Sequence, residues 1–481
     1  MEAPTFKRTF FKHLLTLGGY SYGSEVINFL SSAILARLLM PEEYGFVAMI
    51  AVFTNFAMIF AGAGLGSDII RSNYRTTYHK GLFTLSFYIG LVLFVLMSLL
   101  AYPIAIFYGN MKLILPTIIL STQFVIRGMT MAHYALLMKQ MRFSYIGKVT
   151  FHSTLMNIGM MILMALLGFS YWSLIIPLLS MAFVRYIFYA RATKLPLKLY
   201  SRAHVVAAYR KARTIIWSII GFNVIDYWAR NLDNLLAGKM YGEAALGIYN
   251  RGFRFLDLSL RLITRMFGTV LYPSLKKLEE ERGPVLKEYL NMMGIISLVN
   301  FPAGLVLILF PEPFVLILWG NNWVQVVPFL PYFGILILTQ TVIATNDSMF
   351  KLYNKERTLF YLGAASSGIV AVAIALGATQ SLLSIAKFYA FAYLFLVIPL
   401  QLYVGFIRSL GYEVKLIVSF WLPKIICFSA VLFGVWTDRF PVVLAGMIVY
   451  FIHLVHFQRK DLLKISKWVV GNLFHKNGGQ K

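Results

Sequence analysis

Long apolar runs alternate with short polar interruptions along the whole chain. The runs are continuous for about 20 residues, the length a helix needs to cross a bilayer. Membrane strands would instead show ten-residue alternation. Fourteen such runs predict helices at about 14–36, 44–66, 81–103, 113–137, 149–168, 171–190, 214–238, 246–273, 289–310, 323–347, 359–378, 381–407, 416–436 and 440–457. The expected fold class is an all-α polytopic membrane protein. Its expected form is two parallel six-helix lobes around a central cavity, plus two C-terminal helices. The corresponding divisions are 1–190, a basic cytoplasmic linker over 191–213, 214–407, two additional helices over 408–457, and a basic tail over 458–481.

Composition supports this class. Hydrophobic residues make up 59% of the chain and charged residues 13%, whereas a soluble domain carries about 25% charged residues. That excludes a soluble enzyme, a disordered chain and a nucleic-acid-binding domain. The net charge of +25 therefore does not point to nucleic acid. With the N-terminal side taken as one face, 31 lysines and arginines fall on that face and 4 on the other. The asymmetry assigns the basic face and both termini to the cytoplasm. It also requires an even number of spans, fourteen or, if the last pair is misread, twelve. The basic N-terminal stretch shows no cleavage site before a long span, so the first span is expected to be retained. A single cysteine, Cys427, precludes an intrachain disulfide.

The text ILARLLMPEEYG at 34–45 recurs as LLAGKMYGEAALG at 235–247. An offset of 201 pairs Leu35 with Leu236, Ala36 with Ala237, Glu42 with Glu243 and Glu25 with Asp226. One inserted residue then pairs Gly45 with Gly247. Six spans precede the linker, so both copies start on the cytoplasmic side. That is the arrangement of parallel repeats and suits alternating access.

Charged residues inside spans need water, a partner or a nearby interface. Five of the nine in-span cations lie in the seventh and eighth spans. Arg251, Arg254, Arg261 and Arg265, with Asp257 among them, share one face of the eighth. Asp226, Arg230 and Asp233 follow helical spacing in the seventh, close enough to pair along the helix. The first span carries Glu25 and Asn28 between Ser21 and Ser32. Arginine forks bind two oxygens of a phosphate at once. Arg254, Arg261, Arg251, Arg265 and Arg230 are therefore candidates to bind an anionic lipid diphosphate. Glu25, Asn28, Asp226, Asp233 and Asp257 are candidate cavity or ion-coupling groups. The bland alternatives are snorkelling of Arg251, Arg254 and Arg265 to the interfaces, and internal pairing of Arg230. Arg127, Lys387 and Lys424 stand alone in their spans, where snorkelling or packing suffices. Asp347, after Thr345 and Asn346, reads as a helix cap.

No motif promises catalysis. GAGLGSD at 62–68 lacks nucleotide-loop spacing and a preceding strand, and there is no Walker A, GxSxG or HExxH sequence. The expectation is a protein that is not an enzyme, with no cofactor and no metal. The tail from Arg459 has the form of a helix lying on anionic lipid.

The stretches ILARLLMPEEYGFVAM (34–49), GAGLGSDII (62–70), RNLDNLLAGKMYGEAALGIYNRGFRF (230–255) and LYPSL (271–275) resemble the polysaccharide exporters, of Wzx or colanic-acid type, in the multidrug/oligosaccharidyl-lipid/polysaccharide flippase superfamily. The likeness runs from about residue 10 to 410. It implies movement of an undecaprenyl-diphosphate-linked oligosaccharide from the inner to the outer leaflet of a bacterial inner membrane, for surface polysaccharide synthesis, including lipopolysaccharide. Possible partners are a polysaccharide polymerase and glycosyltransferases. Arg230, Asp233 and Asn234 match the RNLDN motif, and Tyr249, Asn250 and Arg251 match YNR. Rival readings are a multidrug exporter of the same superfamily, a membrane glycan polymerase or ligase, and a passive scramblase. The arginines disfavour the first, and the short outer loops disfavour the second.

Overall fold

The computed structural model describes residues 3–61, 76–193, 199–268 and 271–456, and among these every regular element is helical. The GAGLGSD stretch and the tail from Arg459 lie outside the described residues, as do the side chains of Ser21, Asp226 and Arg265. Ten helices among the described residues are long and apolar enough to cross a membrane, and Phe440–His456 is apolar but shorter. The protein is thus an all-α polytopic membrane protein. The first, seventh and eighth expected spans fall in two further long helices, Ala3–Leu38 and Arg202–Gly268.

The chain forms two compact units, Met1–Asn250 with Leu318–Trp323, and Arg251–Ile317 with Val324–Lys481. The first contains α1 (Ala3–Leu38), α2 (Pro41–Ala61), α3 (Thr76–Tyr108), α4 (Ile114–Lys139), α5 (Phe143–Leu166), α6 (Trp172–Thr193) and the start of α7 (Arg202–Gly268). Here α3 packs on α4, α4 on α6, and α5 on both α1 and α6. Phe124, Met97, Leu93 and Ala57 build one core cluster between α2, α3 and α4. Helix α2 starts where its sequence dictates. Pro41 sits in the first turn beside Glu42 and Glu43, and the Glu43 carboxylate accepts the free Met40 N–H at 2.7 Å. Proline lacks the donor that the first turn does not need, and the acids face the positive helix end.

The residues between α6 and α7 are fewer than the predicted linker. Helix α7 begins at Arg202, inside the 191–213 stretch. Its 67 residues are interrupted once, at Gly242 (φ 83°, ψ −174°). That backbone region is accessible essentially to glycine alone. The glycine separates α7 into two legs that correspond to the seventh and eighth expected spans.

The chain continues with α8 (Leu271–Glu280), α9 (Val285–Leu309), α10 (Pro311–Leu318), a 3₁₀ segment (Asn321–Phe329), α11 (Leu330–Ile343), α12 (Asn346–Leu352), α13 (Glu356–Ala378) and α14 (Leu382–Ala392), all in the second unit except Leu318–Trp323. Helix α11 is buried along nearly its whole length, so it shows no amphipathic pattern. The span after α14 passes through wide π turns at Tyr393–Val397 and Gln401–Ser409, with α15 (Ile398–Leu400) between them. Pro399, inside α15, removes a backbone donor there. Helices α16 (Val414–Trp436) and α17 (Phe440–His456) end the described chain.

Local details revise one expectation and refine two. Asp347 lies in the first turn of α12 and pairs with Lys351 at 2.7 Å rather than capping a helix. The pair is i,i+4 and half-exposed, where a cation is the better partner than backbone. Lys424 is buried in α16, its ammonium 3.0 Å from the centre of the Phe420 ring. Lys387 lies 5.3 Å from the Trp436 ring. Both lysines are therefore stabilised by aromatic faces, not by snorkelling alone.

Candidate substrate-binding site

The RNLDN and YNR motifs meet across the hairpin of α7. Asp233 is buried, and its carboxylate accepts the Tyr249 hydroxyl at 2.9 Å and the Asn234 backbone N–H at 2.8 Å. The Asn250 amide donates to the Asn234 side-chain oxygen at 2.9 Å. Sixteen residues separate each cross-leg pair. The network thus ties one leg to the other. The sequence pattern placed Asp233 beside Arg230; these hydrogen bonds come from the opposite leg and from Asn234.

The two repeat copies pack against each other within the first unit. A Cβ added to Gly45 would lie 1.6 Å from the Glu243 carbonyl oxygen, and one added to Gly247 would lie 1.9 Å from that of Pro41. Only glycine permits this backbone approach. The contact is reciprocal: Gly45 corresponds to Gly247, and Pro41 to Glu243. The inserted residue of the second copy is therefore Gly242, and Glu243 aligns with Pro41 rather than Glu42. Around this crossing, the Asn110 amide donates to the Glu243 carboxylate at 2.9 Å. Lys239 donates to the Phe107 carbonyl. The Trp323 indole donates to the Ala36 carbonyl at 2.7 Å, and its ring meets Tyr44 edge-on. Sequence reasoning missed these links, because each joins a loop or helix end to a partner far away in sequence.

On the second leg of α7 the arginines differ. Arg251 is buried. Arg254 is exposed and has no ion pair among the described residues. Arg261 pairs with Asp257 at 2.9 Å while staying half-exposed, so its charge is shared. Arg265 lies on the same helix, its side chain outside the described residues. In the first unit Arg230 and Asn28 are exposed, and Glu25 is partly buried. Two further arginines, Arg127 and Arg185, lie on the packed helices α4 and α6.

A family model described as "Polysaccharide biosynthesis protein" matches residues 34–328, and the chain belongs to that family. Among curated relatives, the chain is 24% identical over 371 residues to the teichuronic acid biosynthesis protein TuaB of Bacillus subtilis (strain 168), covering 76% of each chain. It is 25% identical to the succinoglycan biosynthesis transport protein ExoT of Rhizobium meliloti (strain 1021), covering 69% of this chain and 66% of the relative. It is 22% identical to the lipopolysaccharide biosynthesis protein WzxC of Escherichia coli (strain K12), covering 64% of this chain and 63% of the relative. Among solved structures, the lipid II flippase MurJ in an inward closed conformation superposes with a TM-score of 0.66 at 14% identity, covering 93% of this chain and 99% of that one. An inward-facing multidrug resistance MATE family transporter of the MOP superfamily gives 0.61 at 15% identity, covering 82% and 95%. The fold is therefore shared with both kinds of transporter.

Proposed function

We propose that the protein is a flippase that carries an undecaprenyl-diphosphate-linked oligosaccharide from the inner to the outer leaflet of a bacterial inner membrane, for surface polysaccharide synthesis. The single observation that carries this reading is membership of the polysaccharide biosynthesis family. Relatives named for succinoglycan transport and lipopolysaccharide biosynthesis support it. So does the fold shared with a lipid II flippase.

In this reading fourteen spans form two six-helix lobes, 1–190 and 214–407, joined by 191–213, with 408–457 adding two helices and 458–481 a cytoplasmic tail. Both termini face the cytoplasm. Arg254 and Arg261, with Arg251, Arg265 and Arg230, hold the diphosphate, while Glu25, Asn28, Asp226, Asp233 and Asp257 supply polar or coupling groups. Rocking of the lobes exposes the headgroup outside while the lipid tail stays in the bilayer. An inside-negative potential favours outward movement of an anion by about 2.3 kcal/mol per charge per 100 mV. Transport is not catalysis, and the reading requires no cofactor. A polymerase and glycosyltransferases are the expected partners.

The test is lipid analysis of a deletion strain complemented with wild type, Arg254→Ala or Arg261→Ala. The expected result is an undecaprenyl-linked glycan that accumulates inside the membrane, relieved by wild type and not by Arg254→Ala. Unchanged lipid-linked pools with altered drug sensitivity would overturn the reading in favour of a multidrug exporter.

A further inference from the structure

Helices α4, α5 and α6 contain no aspartate or glutamate at all, yet α4 and α6 each carry an arginine near mid-length. Arg127 is thirteen residues into α4 and Arg185 thirteen residues into α6. At 1.5 Å per residue both lie about 20 Å from the outer helix ends. Helix α4 packs directly on α6, and the two arginines sit at the same depth of these packed helices. Arg185 is aimed by α5: its Nε donates to the Ser153 hydroxyl at 2.7 Å and its terminal nitrogen to the Thr154 hydroxyl at 3.2 Å. These acceptors are neutral and leave the positive charge uncompensated. Arg127 is exposed and has no hydrogen bond or carboxylate partner among the described residues. Tyr134, two turns beyond Arg127, meets Tyr189, one turn beyond Arg185, with ring centres 5.9 Å apart, so the arginine-bearing faces of α4 and α6 lie toward each other. Tyr189 also meets the Thr150 hydroxyl at 3.3 Å.

Two like charges at this depth repel each other and are costly against lipid. An anion between them removes both penalties, and guanidinium forks bind two oxygens each. We propose that Arg127 and Arg185 form a second anion site, separate from the arginines of α7, that takes an oxyanion of the transported molecule. The phenol and hydroxyl groups around it suit a sugar-bearing headgroup. The oxyanion belongs either to the lipid diphosphate or to an acidic group on the glycan. The identity of the cargo rests on the flippase reading above; the site itself rests on the two arginines.

The experiment is a ligand-dependent thermal shift of the full-length protein in detergent at constant ionic strength. The probes are inorganic pyrophosphate, glucuronate and, as a neutral control, glucose. Wild type is compared with Arg127→Gln, Arg185→Lys and Arg254→Gln. The expected result is stabilisation by at least one anion and not by glucose, with apparent affinity reduced tenfold or more in Arg127→Gln. Preference for pyrophosphate assigns the site to the lipid diphosphate, and preference for glucuronate to an acidic sugar. Arg127→Gln removes no hydrogen bond seen in the structure, so it carries the test even if Arg185→Lys fails to fold. Three outcomes overturn the site: unchanged affinity in Arg127→Gln, loss confined to Arg254→Gln, or no anion binding by wild type. None of these touches the lipid-pool assay, on which the flippase reading stands or falls separately.

Discussion

A buried carboxylate is tolerable only when its oxygens are satisfied, and Asp233 meets that condition through Tyr249 and Asn234. Removing the Tyr249 hydroxyl leaves one oxygen short of its donor while the apolar ring stays. Tyr249→Phe should therefore lower stability by about 1–3 kcal/mol, read as a drop in unfolding temperature in detergent, while Asn250→Ala, nearer the edge of the network, should cost less. The charged residues at this scale were visible in the sequence, but their partners were not. Periodicity along one helix offered Arg230 as the companion of Asp233; the donor from Tyr249 reaches it only because the chain folds back at Gly242. Arg127 and Arg185 each stand alone in an apolar run, so no spacing within either helix links them. Asp257 and Arg261 are the converse case, a pair one turn apart that helical spacing makes legible. Its half-exposed geometry makes it a weak contributor to stability, so Arg261→Ala should leave unfolding temperature nearly unchanged while altering transport.

Helices and their order were the most legible part, because a span is a local property of some 20 consecutive residues. Their junctions were less so. The repeat was readable as two short texts, but its register was not: only the reciprocal approach of Gly45 and Gly247 puts the inserted residue at Gly242. At this crossing a methyl group has nowhere to go, since its obstacle is backbone and not a flexible side chain. Gly45→Ala should push the first turns of α2 and of the second leg of α7 apart and impair transport, with protein still reaching the membrane. Gly242→Ala has open space around its Cβ but an unfavourable backbone angle, and should cost about 1–3 kcal/mol. The Asn110–Glu243 contact gives a reversible probe of the same region. With Cys427→Ser as background, Asn110→Cys with Glu243→Cys should form a disulfide that blocks transport until reduced. Free transport by the cross-linked protein would mean that this contact does not open during the cycle.

For the whole molecule, the strongest sequence signal is the sidedness of its basic residues, 31 against 4. It ties the turn between α16 and α17 to the outer side and the tail to the cytoplasm, provided that α17 crosses the membrane. Phe440–His456 has 17 residues, a rise of about 26 Å against a hydrocarbon core of about 30 Å. That length suffices if the flanking groups reach the interfaces. Its packing also resembles that of a spanning helix. Gly446 lies against Val431 of α16, Tyr450 is wholly buried against Phe428, and Phe451 stacks on Phe301 of α9. A helix lying on the surface would keep one polar face, and α17 has no aspartate, glutamate, lysine or arginine. Single cysteines introduced in a Cys427→Ser background decide between the alternatives. Asp438→Cys should react with a membrane-impermeant maleimide in intact spheroplasts, and a cysteine at Gly478 only after permeabilisation. Labelling of both from outside would mean that α17 does not cross and that the tail is external, which would break the positive-inside assignment on which both cytoplasmic termini rest.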